Sequence, residues 1–557
     1  GIGAYVVARR LLTSVGARVW VAVMYALLPV LTGAVGSGHV GTTVAAIGLP
    51  WLVRVAIPLV AFPLVEGAAK TRSHSARWRP VFASGLLLSA VTAFAPIIWP
   101  MAVAVALVAA FWFAVSGRLS AVPGLLVTAV LPMILLLPWS FRLITDPSLL
   151  LTEAGRLDPT TVTASHHAWQ IPFGRLSAAG DAPWWLTIGV ILAAVLALLR
   201  PDRRGRVAGA WVVIAVGLGA TALLAHSLVT APGTSEQVYA WVGVPVLVAQ
   251  GAAILAAGFA ADGVSRFIGS GSFGWRQPLA AGTAVLAGLA PVAGLAWWVS
   301  ATGHGELTRR EASALPAYML DAMHASAQQR ILVVQAAKQD GTSSDTYTVY
   351  SADGPRLGDD SVVTSEESTG LTALVTSLLS DGRPEDLMML ADYGIAYVVL
   401  PVPADTDQIA ELDSLAGLTR ASTEARQLAG WQVNLPTGLV RLVDADKAQA
   451  ARAADVLPSS HGAAEQRITS GSADRVVAIA TASGDGFEAR LDGKDLSATE
   501  VQAGTGFSVG ADAGTLEVDP GGHRALWVLL QALCLAVAVV FASPSLERKK
   551  GPEDEDE

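Results

Sequence analysis

The 557-residue sequence has a single cysteine, Cys534, and few charged residues. One cysteine excludes a disulfide within the chain, even where the chain lies in an oxidising compartment. Charged residues make up 15% of the sequence, whereas average soluble domains contain about a quarter, and 52% of the residues are hydrophobic. There is also no phosphate-binding P-loop. The composition therefore predicts a membrane protein.

Long apolar runs indicate how many times the chain crosses the bilayer. A membrane-spanning helix needs about 20 apolar residues. Ten runs approach this length, at approximately 17–35, 43–65, 81–98, 101–117, 121–139, 184–200, 208–230, 238–261, 277–299 and 525–542. The opening GIGAYVVARRLL is apolar but too short to cross, and we expect it to be the end of a truncated span with further chain upstream. The prediction is a polytopic α-helical protein of about ten spans plus the truncated one.

The charges of the short loops predict the orientation of these spans. Loops such as KTRSHSARWR and RPDRRGR are basic and alternate with loops such as GSGHVGT and APGTSEQ, which contain no lysine or arginine. By the positive-inside rule, the basic loops are cytoplasmic. We therefore expect a multi-pass protein of the cell (plasma) membrane, with residues 300–523 extracytoplasmic and the C-terminus cytoplasmic.

The large extracytoplasmic region is strongly acidic. Residues 300–523 contain 15 Lys and Arg against 32 Asp and Glu, a net charge of −17. Nucleic-acid binding requires basic surface, so nucleic acid is not an expected partner. The expected partner is the lipid bilayer.

Strand and helix patterns divide the chain into modules. RILVVQA, TYTVYSA, IAYVVLPV and GLVRLVD are typical strands, and GLTALVTSLLSD and PEDLMMLADYG are typical helices, which indicates an extracytoplasmic α/β module. Short strands with Gly and Asp turns follow and indicate a small all-β module. The predicted organisation is a membrane domain at 1–299 with an external loop at 140–183, the α/β module at 300–450, a linker at 451–466, the β module at 467–523, a final transmembrane helix at 524–543 and an acidic cytoplasmic tail at 544–557.

Several stretches resemble a known family. RVWVAVMYALLPVLTGAVGSGHVGTTVAAIGLPWLVRVA is similar to the membrane region of large actinobacterial glycosyltransferases, in which a cytoplasmic family-2 head precedes a GT-C-like polytopic region. LADYGIAYVVLP and GFEARLDGKDL resemble the external modules of those proteins. The resemblance implies the membrane portion of a cell-envelope glycosyltransferase that acts on lipid-linked glycans, with a polyprenyl-phosphate-linked sugar as a partner. It also implies that the catalytic residues precede Gly1, so whether this chain is itself an enzyme stays open.

Two other classes of function remain open from the sequence. A transporter or flippase for lipid-linked glycans would explain polar residues within spans, although no inverted repeat is evident. A non-enzymatic envelope assembly protein would use the external modules to bind glycan or partner proteins.

Three residues are candidate contacts to a lipid phosphate. Arg54 lies within an apolar run between two prolines, where an ionisable group is costly unless it is paired or faces a wet cavity. His39 lies among glycines that allow close approach of a ligand. Arg142 lies in the 140–183 loop, where an interfacial helix would suit a polyprenyl-linked substrate and Asp146, Glu153 or Asp158 would supply a base. Structural pairing or ordinary loop positions are the alternatives for all three.

Neither a metal nor a cofactor is predicted. His166 and His167 are adjacent, but first-row metal sites need three or four ligands, and no such spacing is present. Asp444 and Asp446 imitate the Asp-x-Asp of sugar transferases, but they follow a strand on the predicted outside, where nucleotide sugars are not normally supplied. We interpret them as structural.

Overall fold

The computed structural model describes the chain in fifteen stretches, and its two compact units are treated separately. The described stretches are 1–61, 74–154, 168–176, 182–230, 237–262, 276–301, 315–339, 342–351, 365–380, 382–401, 406–422, 428–444, 454–480, 486–521 and 524–543. One unit comprises Gly1–Val229, Val238–Thr308 and Trp527–Glu557, and the other comprises Thr230–Gln237 and Arg309–Leu526. The predicted cytoplasmic tail at 544–557 lies outside the described residues.

The first unit is a bundle of helices with short connections. In chain order its helices are α1 (Ile2–Leu11), α2 (Val15–Leu31), α3 (Val40–Ala61), α4 (His74–Thr92), α5 (Ile98–Val115), α6 (Val122–Leu135), α7 (Trp139–Thr145), α8 (Trp185–Leu196), α9 (Arg204–Leu224), α10 (Gly243–Ala261), α11 (Arg276–Ala301) and, at the C-terminal end of the chain, a helix at Arg524–Ala542. A helix overlaps each of the ten predicted spans.

Five of these helices are long and apolar enough to cross a membrane. The apolar stretches are Val40–Leu59, Ile98–Val115, Pro201–Leu224, which is α9 with the 3₁₀ turn before it, Gly243–Ala261 and Ala280–Ser300. Their exposed side chains include Leu107, Phe111 and Val292, which suits helices that face lipid. The prediction of a membrane protein is therefore supported, while ten spans and their orientation stay predictions.

Small residues let the helices of the bundle pack closely, which is typical of membrane helices. A Cβ added at Gly189 of α8 would lie 2.7 Å from the backbone of α11 at Ala287. At Gly217 of α9 an added Cβ would lie 2.9 Å from the Pro245 carbonyl of α10. The core that these contacts enclose is rich in alanine and contains Met24, Leu28 and Phe259.

One end of the bundle is held by a buried carboxylate, and we call it the Asp262 end: here α1 and α10 end and α2 and α9 begin. The Asp262 side chain is fully buried and accepts hydrogen bonds from the Thr13 amide and hydroxyl and from the Ser14 amide, all at 2.8 Å. A terminal nitrogen of Arg203 forms an ion pair with it at 2.8 Å but makes no hydrogen bond to a described residue.

The environment of Asp262 keeps its carboxylate charged. Burial opposes ionisation, but the hydrogen bonds from Thr13 and Ser14 and the charge of Arg203 outweigh it and lower the pKa of Asp262 to about 2. A terminal nitrogen of Arg200 also donates to the Asp262 carbonyl at 3.1 Å. The cluster thus ties the α1–α2 turn to the end of α10 and the start of α9 at any physiological pH.

The second unit begins with a mixed sheet covered on both faces. Its strands are β3 (Arg330–Gln339), β4 (Thr342–Tyr350), β5 (Ile395–Pro401), β6 (Leu418–Ala421) and β7 (Leu428–Val433), in the order β4-β3-β5-β7-β6. Earlier in the chain, β1 (Leu228–Thr230) and β2 (Gln237–Tyr239) form a separate two-stranded ribbon. Strand β5 runs parallel to β3, and the other neighbours are antiparallel.

Burial on both faces explains the continuous apolar sequence of β5. Its residues 395–400 are all buried, as expected of a strand that is covered on both faces. One face packs on helices α13 (Ser365–Ser380), α14 (Pro384–Asp392) and α15 (Thr406–Ser414), and the other packs on α12 (Ala317–His324). The α/β pattern predicted from the sequence is therefore present.

Two antiparallel sheets follow and form a β-sandwich. The strands are β8 (Val440–Asp444), β9 (Asp455–Leu457), β10 (Ala464–Ile468), β11 (Arg475–Ile479), β12 (Phe487–Leu491), β13 (Lys494–Asp495), β14 (Ala498–Thr499), β15 (Thr505–Ser508) and β16 (Gly514–Pro520). The sheet orders are β14-β15-β11-β8-β9 and β10-β16-β12-β13. Val477 and Phe507 of the first sheet share a core with Leu516 and Val518 of the second.

The structure corrects the predicted boundary between these modules. Strand β8, assigned from the sequence to the α/β module, pairs with β9 and β11 of the sandwich. The segment assigned as linker contains β9 and begins β10. Strand β8 alternates between sandwich core and module interface: Val440 and Leu442 face the core, and the buried Arg441 donates to Asp392 of α14 at 2.6 Å. One strand therefore serves both modules, a role that the local sequence does not reveal.

Candidate functional site

A buried histidine marks the opposite end of the bundle, where α2 ends and α3 begins, and we call it the His39 end. The connecting loop turns at Gly38, whose φ of 77° favours glycine. The His39 amide donates to the Ala34 carbonyl at 2.9 Å, and the Thr43 hydroxyl donates to the His39 carbonyl at 3.0 Å. The imidazole is therefore held next to the first turn of α3, with only 3% of the residue exposed.

Glu153 reaches this position from a distant part of the chain. It follows α7 and a short 3₁₀ helix at Pro147–Leu151. The next residue, Ala154, donates its amide to the Phe94 carbonyl at 2.8 Å and accepts from the Gly41 amide at 3.0 Å. These two backbone bonds fix the Glu153 segment between the α4–α5 connection and the start of α3.

Gly41 is required for this approach. A Cβ at residue 41 would lie 2.4 Å from the Phe94 carbonyl oxygen and 2.7 Å from the Glu153 Cβ, closer than real Cβ atoms come. From the sequence, the glycines around His39 were interpreted as room for a ligand. In the structure, Gly41 instead makes room for the Glu153 segment.

Both oxygens of Glu153 are hydrogen bonded to side chains of the His39 end. The Nδ1 atom of His39 lies 2.6 Å from Oε1, and the hydroxyl of Thr42 donates to Oε2 at 2.7 Å. The Glu153 side chain is 9% exposed, and Thr42 is fully buried. The carboxylate is therefore shielded from solvent, and His39 and Thr42 fix its position.

Trp241 completes the cluster. Its indole lies flat against the His39 ring, with ring centroids 3.6 Å apart and an interplanar angle of 8°. Its Nε1 donates to the Thr42 hydroxyl oxygen at 2.9 Å. Trp241 precedes α10, and a Cβ at Gly243 would lie 2.2 Å from the indole nitrogen, so a glycine there is needed for the ring to fold back over the helix start. We call His39, Thr42, Glu153 and Trp241 the His39 cluster.

One polar atom of the His39 cluster has no partner among the described residues. The Nε2 atom of His39 is shielded from solvent and makes no hydrogen bond. Leaving a buried polar atom unpaired costs about 1–3 kcal/mol. An imidazole with Nδ1 on a carboxylate and Nε2 free is the arrangement that serves proton transfer in hydrolases. A metal site is the other common use of this pair, but the described residues contain no group of three or more His, Cys, Asp or Glu suited to a metal.

The other predicted residues lie apart from this cluster. Arg54 is on α3, fifteen residues beyond His39, which places it about 22 Å along the helix at 1.5 Å per residue. Its guanidinium lies 5.6 Å from the Trp51 ring centroid, and its carbonyl accepts from Arg10, so Arg54 belongs to the Asp262 half of the bundle.

Arg142 is partly buried in α7, in the segment that leads to Glu153. Asp146, which follows α7, accepts from the Ser148 amide and begins the 3₁₀ helix. Asp158, His166, His167 and Asp446 lie outside the described residues. Asp444 ends β8, far in sequence from the membrane unit.

Sequence reasoning singled out His39 and included Glu153 among the loop charges, but it did not connect them. Thr42 and Trp241 were missed altogether. A threonine in an apolar helix and a tryptophan before one carry no signal of their own. Only the fold shows that residues separated by 114 positions in sequence are 2.6 Å apart.

Comparison with known proteins gives limited similarity. No protein-family model matches the chain, and no curated protein matches it. Two cryo-EM structures of the arabinofuranosyltransferase AftD from mycobacteria, one of them a mutant, are similar at 14% and 13% identity, each with a TM-score of 0.43. The aligned region covers 94% of this chain and 52% and 50% of those chains, so the chain spans about half the length of the structures it matches. Similarity at this level establishes neither a shared fold nor a shared activity.

Proposed function

We propose that this chain is the membrane and extracytoplasmic portion of a cell-envelope glycosyltransferase that acts on lipid-linked glycans, and that proton transfer occurs at its His39 end. The observation that carries the proposal is the buried pair of Glu153 and His39, whose Nε2 has no hydrogen-bond partner in the part of the chain that the structure describes. Transfer of a sugar to a hydroxyl group requires a base for the hydroxyl proton, and a positioned histidine is the commonest such base.

The charges of the bundle support an extracytoplasmic His39 end. Arginines at the starts of α2 and α9 meet at the Asp262 end. Arg203 pairs with Asp262, Arg206 donates to the Leu11 carbonyl, and Arg18 donates to the Leu12 carbonyl. By the positive-inside rule this end is cytoplasmic. The His39 end then faces the side on which lipid-linked glycans of the envelope are assembled.

Aromatic side chains near α8 support a lipid-interface position for the His39 end. Trp169 and Trp184 pack edge to face with centroids 5.3 Å apart, and Trp169 and Trp185 are each about half exposed. Tryptophan is enriched where a membrane meets water. These residues precede or begin α8 at the same end of the bundle, because the Ala182 amide donates to the carbonyl of Leu31, the last residue of α2. A polyprenyl-linked donor would present its phosphate at this level.

Arg142 is the residue that we assign to the carrier phosphate. It lies in α7, whose continuation supplies Glu153, and a guanidinium stays ionised and can bond two phosphate oxygens at once. In this proposal the residue that binds the carrier phosphate, Arg142, and the carboxylate that pairs with His39, Glu153, come from the same loop. Arg54, at the other half of α3, would contact a carrier phosphate only on the opposite side.

The test replaces Arg142 in cells that have lost their own copy of the protein. Hydrogen bonds to charged groups contribute about 1.5–3 kcal/mol, so Arg142→Ala is expected to reduce the lipid-linked glycan product about 10–100-fold at unchanged protein level. Arg142→Lys should recover part of the product, because it keeps the charge and loses the fork. Arg204→Ala, at an exposed position of the Asp262 end, is the control. Full product from a stable, correctly inserted Arg54→Ala, Arg142→Ala double variant would contradict the proposal.

A further inference from the structure

With Glu153 ionised, the hydrogen bonds of the His39 cluster have a single direction. An indole N–H is a donor and never an acceptor. Because Trp241 Nε1 donates to the Thr42 oxygen, the hydroxyl proton of Thr42 is left for Glu153 Oε2, 2.7 Å away. An ionised carboxylate has only acceptor oxygens, so the Oε1 atom of an ionised Glu153 accepts from His39 Nδ1 at 2.6 Å.

We infer that this chain of donors fixes neutral His39 as the Nδ1–H tautomer and makes its Nε2 atom the proton acceptor of the site. Thr42, Glu153 and Trp241 are then positioning residues, and His39 is the catalytic residue. The inference rests on the proposed function for its reaction, but the tautomer itself follows from the contacts of four described side chains.

The ring has little freedom to adopt another arrangement. Stacking on Trp241, with ring centroids 3.6 Å apart, fixes the plane of the His39 ring. The hydrogen bond to Glu153 fixes which edge of the ring faces the carboxylate. Rotating the ring by half a turn would remove Nδ1 from a buried carboxylate, which costs more than a neutral hydrogen bond. The unpaired Nε2 is therefore the end of an ordered series of hydrogen bonds, and these bonds fix its position.

The proton transfer at Nε2 balances within a glycosyl transfer. The oxygen of an acceptor sugar hydroxyl forms a bond to the anomeric carbon of the donor, and the bond from that carbon to the carrier phosphate oxygen breaks, with the phosphate keeping the electron pair. The hydroxyl proton passes to Nε2. The resulting imidazolium is stabilised by the Glu153 carboxylate at Nδ1. Since Nε2 is covered in this structure, the acceptor must displace part of its surroundings to reach it.

Glu153→Gln is expected to reverse the tautomer. The Thr42 oxygen accepts from Trp241 Nε1, so the Thr42 hydroxyl can only donate to residue 153. The glutamine oxygen would therefore take the position that accepts from Thr42. The amide NH₂ would then face Nδ1 and donate to it. This leaves the proton of the neutral ring on Nε2, which becomes a donor and loses its function as a base. Thr42→Ser keeps the hydroxyl group and therefore the direction of these hydrogen bonds, so it is the matched control.

The experiment is ¹⁵N NMR of the full protein in lipid vesicles, with ¹⁵N-labelled histidine, at an alkaline pH that keeps the rings neutral. The chain has nine histidines, and the His39→Gln variant identifies the signals of His39 by difference. We expect a proton on Nδ1 and none on Nε2 in the wild type and in Thr42→Ser, and the reverse in Glu153→Gln. This readout needs no substrate.

A proton on Nε2 of wild-type His39 would overturn the inference, whatever the enzyme transfers. So would an unchanged tautomer in a folded Glu153→Gln protein. If instead the tautomers are as expected but Glu153→Gln cells make full glycan product, the assigned hydrogen-bond directions are correct and the proposed function is wrong. The two claims are therefore distinguished by the same set of variants.

Discussion

Glu153→Gln is expected to lower the proposed glycosyl transfer by about 10²–10⁴-fold, which is the usual contribution of a general base. The substitution keeps the size of the side chain and both of its hydrogen-bonding positions, so the protein should fold and insert normally. What changes is the direction of the bond to His39 and the charge that stabilises its imidazolium. The measurement is the amount of lipid-linked glycan product in cells that carry only the variant, normalised to protein level.

Asp146→Asn is the matched control for this change. Asp146 is a carboxylate in the same loop, seven residues before Glu153, but it is exposed and bonds Ser148. Its substitution should leave transfer within about twofold of wild type, because asparagine caps a helix start about as well as aspartate does. Near-normal product from a stable Glu153→Gln protein would contradict a role for Glu153 in catalysis.

Gly41→Ala should destabilise the protein by about 1–3 kcal/mol, the usual cost of adding a methyl group to a packed site, and should also reduce transfer. The added Cβ would meet a backbone oxygen at 2.4 Å and the Glu153 Cβ at 2.7 Å. Neither is the flexible end of a side chain, so the Glu153 segment must move away from α3. Thermal unfolding in detergent measures the first effect, and glycan product measures the second.

Gly209→Ala tests whether the effect is specific. Gly209 is a helix residue of α9 with no atom within 4 Å of an added Cβ. Alanine is the better helix former, so this variant should be at least as stable as wild type. Equal unfolding temperatures for the two alanine variants would show that the Glu153 segment does not pack on α3 as described.

Local sequence predicted the elements of this protein better than their association. Helices overlap the ten apolar runs, because a long apolar run in a bilayer has few other ways to satisfy its backbone. The buried strand β5 was also evident, since its sequence from Ile395 is continuously apolar. In contrast, β8 was assigned to the wrong neighbours, because nothing in GLVRLVD indicates that Val440 faces a sandwich core while Arg441 reaches Asp392.

The candidate site was predicted only in part for the same reason. His39 stood out among glycines, and Glu153 was one of several loop charges. Their pairing depends on backbone bonds from Ala154 to Phe94 and Gly41, which join three separate connections of the bundle. Arg54 stood out because a charge in an apolar run is costly, but the fold places it at the other half of α3, beside Trp51 and Arg10. A single sequence contains no record of such distances.

The central claim is that the His39 cluster faces the extracytoplasmic side of the membrane, and cysteine labelling of intact cells tests it most directly. Cys534 is the only cysteine, so Cys534→Ala gives a background without thiols. Val35→Cys places a thiol at an exposed position of the His39 end, and Gly205→Cys places one at the Asp262 end, where an added Cβ meets no atom within 4 Å. We expect a membrane-impermeant maleimide to label residue 35 in intact cells and to label residue 205 only after the cells are opened. Labelling of residue 205 and protection of residue 35 in intact cells would contradict the claim, because the His39 cluster would then face the cytoplasm.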